Sequence, residues 1–217
     1  MSSTATIRAA VRIDLHDEDA AAYRWVDATL NRHIQRVVQE YSHVSPLETK
    51  STLTTVSNSR DVTITTLTPR IRVVAAEYPT GVYPPEYVPF TLWGDTLTLD
   101  LVTAPVGTPN VNVYWHKEHT IHATVDASST FPASHDQIIA TGAAAYAALE
   151  WGSYASNRVN VGGENTWGRY MDFADVRLRA FHDMLRALPA SGRVGSARLY
   201  TPVDARLRSE TTDPGPV

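Results

Sequence analysis

Apolar residues recur at helical spacing in three stretches of this chain and at strand spacing between the first two. The first helical stripe is Tyr23, Val26, Leu30, Ile34, Val37 and Tyr41, whose steps of three and four place them on one face. Asp17-Glu18-Asp19 stands ahead of it, where a helix N-terminus favours negative charge, while Arg24, Asp27, Asn31, Arg32 and Gln35 fall mostly elsewhere on the surface. Pro46 ends the pattern, because the residue before a proline is biased out of the helical region. The spacing predicts an N-terminal helix within 15–45.

From Leu47 to Ile121 the chain turns to threonine, valine, proline and tyrosine with repeated alternation. This predicts short strands at 52–56, 62–67, 71–76, 90–93, 96–101 and 111–115. Turn signals separate them at Asn58-Ser59-Arg60-Asp61, Pro79-Thr80-Gly81, Gly94-Asp95 and 105–110. No helical pattern lies between them to carry parallel crossovers, so the region 46–131 is predicted to be a mainly antiparallel insertion.

The second helical stretch opens at Ser134-His135-Asp136-Gln137, with Ser134 as N-cap and Gln137 as its capping-box partner. It continues through Ile138, Ile139, Gly142, the alanines 143–145, Tyr146, Ala147, Ala148 and Leu149 to Trp151. So many small residues allow another helix backbone to come close. Asn160, Gly162 and Gly163 break the pattern, and Asn165 or Thr166 can cap a third helix. There Trp167, Met171, Ala174, Leu178, Phe181, Leu185 and Leu188 alternate steps of four and three, a coiled-coil-like seam ended by Pro189 and Gly192. The predicted fold is α+β: an N-terminal helix and a C-terminal helical hairpin (134–189) forming a small bundle, with the β insertion between them. A flexible C-terminal arm (190–217) follows, and the whole is read as a single domain, 1–217.

Composition changes this picture little. At 217 residues and 43% hydrophobic content the chain can build a substantial core. The absence of cysteine excludes disulfides, thiolate metal sites and a cysteine nucleophile. No run reaches the roughly 18 apolar residues of a membrane span, and Met1-Ser2-Ser3-Thr4 lacks the basic flank and apolar core of a signal peptide. The expectation is a soluble, unprocessed protein with no membrane partner. A net charge of −4 disfavours a protein that grips nucleic acid by neutralising phosphates. The cations are arginines except Lys50 and Lys117, which either suits multi-donor contacts at interfaces or reflects nucleotide bias.

Candidate chemistry is sparse. His116-Lys117-Glu118-His119-Thr120-Ile121-His122 holds three histidines and a carboxylate that could ligate zinc if they converged. On a strand, His116, Glu118 and His122 share one face and His119 points to the other, so polar residues at a strand end are the better reading. Gly152-Ser153-Tyr154 lies in a helix end rather than a nucleophile elbow, and Gly162-Gly163 lacks the lysine of a phosphate loop. The carboxylate pairs Asp172 with Asp175 and Glu40 with Glu48 read as solvated or paired with arginines such as Arg169 and Arg179. The sequence therefore predicts no catalytic residue, no cofactor and no metal. The run from Tyr78 to Phe90, with Tyr83, Tyr87 and four prolines, is a stiff aromatic loop that either docks a partner or covers the end of the sheet.

The order of elements resembles the head-to-tail adaptor (connector) proteins of long-tailed double-stranded DNA bacteriophages. The resemblance is carried by Val26-Asp27-Ala28-Thr29-Leu30-Asn31-Arg32-His33-Ile34, by Tyr83-Pro84-Pro85-Glu86-Tyr87-Val88-Pro89-Phe90, and by Val111-Asn112-Val113-Tyr114-Trp115. Above all it rests on the helical pair, Pro132 through Tyr146 and then Tyr170-Met171 through Leu188. It implies a structural virion protein of the neck, not an enzyme: a ring of twelve copies between portal and tail that extends the DNA conduit. Its implied partners are further copies of the chain, the portal, a tail-side neck or tail-completion protein, and duplex DNA passing without sequence-specific binding. Its implied locations are the host cytoplasm during assembly and then the virion. On this reading Tyr83, Tyr87, Phe90, Arg169, Arg177, Arg179, Arg186, Arg198, Tyr200, Arg206 and Arg208 are candidate interface residues. A tail-completion or tube-terminator protein is the alternative, and a metal-dependent enzyme using 116–122 a more distant one.

Overall fold

The computed structural model describes residues 2–107, 109–124, 129–156 and 166–188. They fall into two compact units, one formed by 2–47 with 117–188 and the other by 48–116. The fold is mixed α+β, with the helices in the first unit and nearly all the strand residues in the second.

The first unit contains α1 (Thr4–Asp14), α2 (Asp27–Val44), α3 (Asp136–Ser156) and α4 (Thr166–Ala187). Helix α3 is its centre. Ile138 through Ala148 are all buried, so residues on every side of this helix are covered, and α1, α2 and α4 pack around it. A helix apolar all round belongs in a core, and small side chains make that possible. A Cβ placed on Gly142 would lie 3.0 Å from Phe181 of α4 and 3.0 Å from Val37 of α2. At Gly142, α3 thus packs tightly against both α2 and α4. Near the other end of α3, a Cβ on Gly152 would meet Met171 Sδ at 2.9 Å.

Helix α2 carries the expected stripe from Leu30 onward: Leu30, Ile34, Val37 and Tyr41 are buried. Its start is not where the acids predict. Asp17 is buried among the residues that precede the helix, accepting from Arg12 Nη1 at 2.6 Å and from the backbone N–H groups of Arg24 at 2.7 Å and Trp25 at 3.2 Å. Those amides and the guanidinium hold Asp17 in a loop, and α2 begins ten residues later at Asp27, itself 2.7 Å from Arg12 Nη2. Tyr23, expected on the stripe, instead lies in that loop with its ring 3.4 Å from the Arg12 guanidinium carbon.

Helix α1 is absent from the sequence reading. Ser3 caps it by accepting from Thr6 N at 3.3 Å, and its C-terminus closes in a Schellman arrangement. His16 N–H donates to Ile13 O and Asp17 N–H to Arg12 O, with His16 at φ 52 in the left-handed position that glycine usually fills. The expected capping box of α3 is also replaced. Ala133–His135 form a short 3-10 turn, α3 starts at Asp136, and the Gln137 amide donates forward to Thr141. Asp136 instead accepts from the Ser2 hydroxyl, a carboxylate where the helix dipole favours one.

The second unit holds two sheets. β1 (Leu47–Thr54), β7 (Asn110–Lys117), β3 (Arg70–Glu77) and β4 (Tyr87–Val88) form one in that order, and β2 (Asp61–Thr63), β6 (Thr96–Leu99) and β5 (Phe90–Trp93) form the other. The registers β2 with β6, β5 with β6 and β3 with β4 are antiparallel, as predicted. Val62, Ile64, Leu67, Ala76, Leu97, Leu99, Val111, Val113 and Trp115 are their shared core. The β region ends earlier than 131. Residues 118–124 return to the helical unit, where the carbonyls of His122 and Ala123 accept from the first amides of α1, and Phe131 joins the helical core. The expected break at 157–165 and the arm 190–217 lie outside the described residues.

The two glycines of α3 should respond oppositely to alanine. Alanine favours a helix by about 1 kcal/mol over glycine. At position 142 that gain is outweighed by overpacking against two helices at once, so Gly142→Ala should lose about 1–3 kcal/mol in urea unfolding. At position 152 the near neighbour is the end of an exposed, flexible methionine. Gly152→Ala should be neutral or stabilising by up to about 1 kcal/mol, and a reversal of this order would refute the packing argument.

Candidate functional site

The histidine stretch does not converge. Strand β7 ends at Lys117, so the alternation that would put His116, Glu118 and His122 on one face stops one residue after His116. His116 is buried in the second unit, where Arg72 Nε donates to its Nδ1 at 3.1 Å. His119 belongs to the first unit, its Nδ1 3.0 Å from Thr130 Oγ1 and its Nε2 3.0 Å from Ser45 O, with its ring against Tyr41 and Phe131. His122 Nδ1 accepts from Thr124 N–H at 3.2 Å. Among the described residues, no group of three or more His, Asp or Glu side chains is placed to hold a metal ion.

The aromatic loop divides between its two readings. Tyr83 is 94% exposed, as a docking residue would be. Tyr87 is drawn into β4 opposite Glu77, with its ring 5.8 Å from that of Tyr114. Phe90 starts β5 and packs partly buried against the sheet core. Around them Glu77 is buried but accepts from Tyr114 Oη at 2.6 Å and lies 3.5 Å from Lys50 Nζ. Burial opposes ionisation of Glu77, and those partners outweigh it, holding the carboxyl below its ordinary range; burial and the same hydrogen bond push the Tyr114 phenol up.

On α4 the seam is covered over part of its length. Ala174, Phe181 and Leu185 are buried, whereas Trp167 and Met171 near the N-terminus are exposed. The arginines occupy other faces. Arg179 pairs with Asp175 and Arg186 with Asp183, exposed pairs that contribute little and can exchange partners. Arg177 reaches Asp14 of α1 at 3.4 Å, and Arg169 is exposed beside Tyr170. Arg198, Tyr200, Arg206 and Arg208 lie outside the described residues.

Two features were missed in the sequence. One is a cationic aromatic cluster of the first unit. Trp25 is buried with its Nε1 donating to Ala147 O at 3.1 Å; Trp151 and Tyr170 pack their rings on it, and the Arg24 guanidinium lies 5.4 Å from the Trp151 ring and 5.6 Å from the Tyr170 ring. The other is Trp93, 89% exposed at the end of β5. The turn signal Gly94-Asp95 directly after a strand could have placed it at a hairpin tip.

These surfaces define an α+β scaffold whose small-residue helix is enclosed and whose aromatics emerge at loops and at one helix end. No family model matches the chain, and no curated protein matches it. Among solved structures it is similar to a chain of one described as "Neck of empty GTA particle computed with C6 symmetry", with 14% identity, 80% of this chain and 87% of that chain covered, and a TM-score of 0.28.

Two buried histidines, His33 and His116, and the half-buried His119 make stability depend on pH. Burial, the largest cause, lowers the pKa of His33, His116 and His119 below 6.5, although the Glu150 carboxylate 2.5 Å from His33 Nε2 and the hydrogen bonds of His119 oppose it. The unfolded chain then takes up protons before the folded one, so stability is full above about pH 6.5 and falls as pH drops toward the folded values. The urea midpoint should be lower at pH 5.5 than at pH 7.5, and His119→Gln should flatten the slope. A midpoint that holds or rises on acidification would contradict this assignment.

Proposed function

We propose that this chain is a structural, non-catalytic protein of the neck of a tailed, phage-like particle. It assembles as a ring of twelve copies between portal and tail and extends the DNA conduit. It joins the virion at the head-tail junction after assembly in the host cytoplasm.

The observation that carries this reading is the division of apolar surface. The small-residue helix α3 is enclosed within the subunit, while Tyr83, Trp93, Val102 and Val106 of the β unit and Trp167 and Val176 of α4 remain exposed. Exposed rings such as Tyr83, Trp93 and Trp167 are of the residue types enriched where proteins meet. The sequence resemblance supplies the kind of contact: side-to-side association between different patches, which closes into a ring. The charge balance supports it too, because a net charge of −4 lets duplex DNA slide where a basic groove would hold phosphates.

Sedimentation velocity and negative-stain imaging with purified portal test the proposal. A twelve-membered ring seated on the portal is the expected result, together with no retention of duplex DNA at about 0.15 M salt. Six-fold assembly on a tail tube without portal binding would favour the tail-completion alternative. A protein that stays monomeric and ignores the portal at all concentrations would refute both.

A further inference from the structure

A groove of about 380 Å³ runs between the C-terminus of α1 and the N-terminal half of α4. Leu15, Tyr170 and Phe173 give it apolar walls, Arg24 and Arg169 a cationic rim, and Asp14 a carboxylate already engaged with Arg177. The balance is positive. An occupant should therefore bring an aromatic body and a negative charge, since guanidinium groups attract both carboxylates and aromatic faces, tryptophan most strongly.

The exposed tip of the β5–β6 hairpin has that chemistry. Trp93 faces Thr96 across the ladder, and Gly94 and Asp95 close the turn, with Gly94 at φ 57. The tip is held by three hydrogen bonds. Arg70 Nη2 donates to Gly94 O and to Asp95 Oδ1, each at 3.0 Å, and Ile64 N–H donates to Asp95 O at 2.9 Å. Ile64 is in the sheet core, so the indole is presented on a fixed support and little freedom is lost when it docks. Two residues on from the exposed indole, the Asp95 carboxylate shares Oδ1 with Arg70 while its side chain stays 62% exposed, so it can face a second guanidinium.

We propose that the groove receives the hairpin tip of a second copy of this chain, with Trp93 against Tyr170 and Phe173 and Asp95 facing Arg24 and Arg169. One aromatic side chain buried at such a contact removes about 150–250 Å² from water. Knob and groove are different patches, so the contact is heterologous: each copy offers its tip to one neighbour and its groove to another. This inference deepens the ring reading and rests on it.

The test uses the full chain. Trp93→Ala, which removes a side chain 89% exposed, should leave thermal unfolding unchanged and raise the dissociation constant for self-association at least tenfold in sedimentation. Asp95→Asn and Arg169→Gln should each weaken assembly, and the two together should weaken it by less than the sum of the separate effects. That non-additivity separates lost contact from lost folding, and full additivity would overturn the pairing of Asp95 with Arg169. Rings of Trp93→Ala that persist at wild-type concentrations would overturn the knob while leaving the neck reading intact. Loss of portal binding with self-association unchanged would assign the tip to another protein and overturn the proposal. A wild-type chain that never self-associates would overturn both.

Discussion

The helical unit depends on one close approach, the packing of α3 at Gly142 between Phe181 of α4 and Val37 of α2, where even a methyl group would be within 3.0 Å of both. A helix surrounded on all sides cannot carry large side chains everywhere without pushing its neighbours apart. The run of buried alanines from 143 to 148, interrupted by Tyr146, is the sequence consequence. The larger residues are supplied by the surrounding helices: Ile7, Val11, Leu30, Ile34, Phe181 and Leu185 fill the space that α3 leaves. The exception within that run is instructive. Tyr146 is long enough to reach the edge of the core, where its hydroxyl meets the Glu40 carboxylate at 2.8 Å and its ring lies under Arg36.

Much of this was legible because repetition encodes it. Leu30, Ile34, Val37 and Tyr41 declare a face, the small residues of α3 declare a close neighbour, and the strand alternation places β5 at Phe90–Trp93 and most of β3 and β7. Helix α1 was hidden because its buried face includes Arg12 beside Ile7 and Val11. A periodicity argument counts arginine as surface. Asp17 was misread for the related reason that an acid ahead of a helical stripe has two uses, favouring the helix dipole or partnering a buried cation, and spacing alone does not distinguish them.

The candidate surfaces were legible in a different way. Composition located the aromatic loop, yet the exposure of Tyr83 and the absorption of Tyr87 and Phe90 follow from which residues find a strand partner, a non-local fact. The seam of α4 shows the same limit. Seven apolar residues share a face by their spacing, but whether that face is covered depends on the neighbours along its length, and Trp167 and Met171 stay exposed. Period reports orientation within an element; burial is decided between elements.

Asp17 and Arg12 also shape one side of the groove. A buried ion pair stabilises little on balance, since desolvation offsets much of the attraction, but it fixes geometry because breaking it leaves a buried charge alone. Arg12 lies one turn before Leu15 and holds Asp17, Asp27 and the Trp25 carbonyl at 2.9 Å at once. Asp17 in turn holds the backbone of Arg24. Leu15 in the wall of the groove and the backbone of Arg24 at its rim are thus positioned by a network beneath them. A hydrophobic replacement of that network could preserve the core, but nothing in it would set the distance between α1 and the Arg24 loop. The polar burial that obscured α1 in the sequence fixes the α1 side of the groove, which is the property a docking surface needs if association is not to be opposed by ordering it.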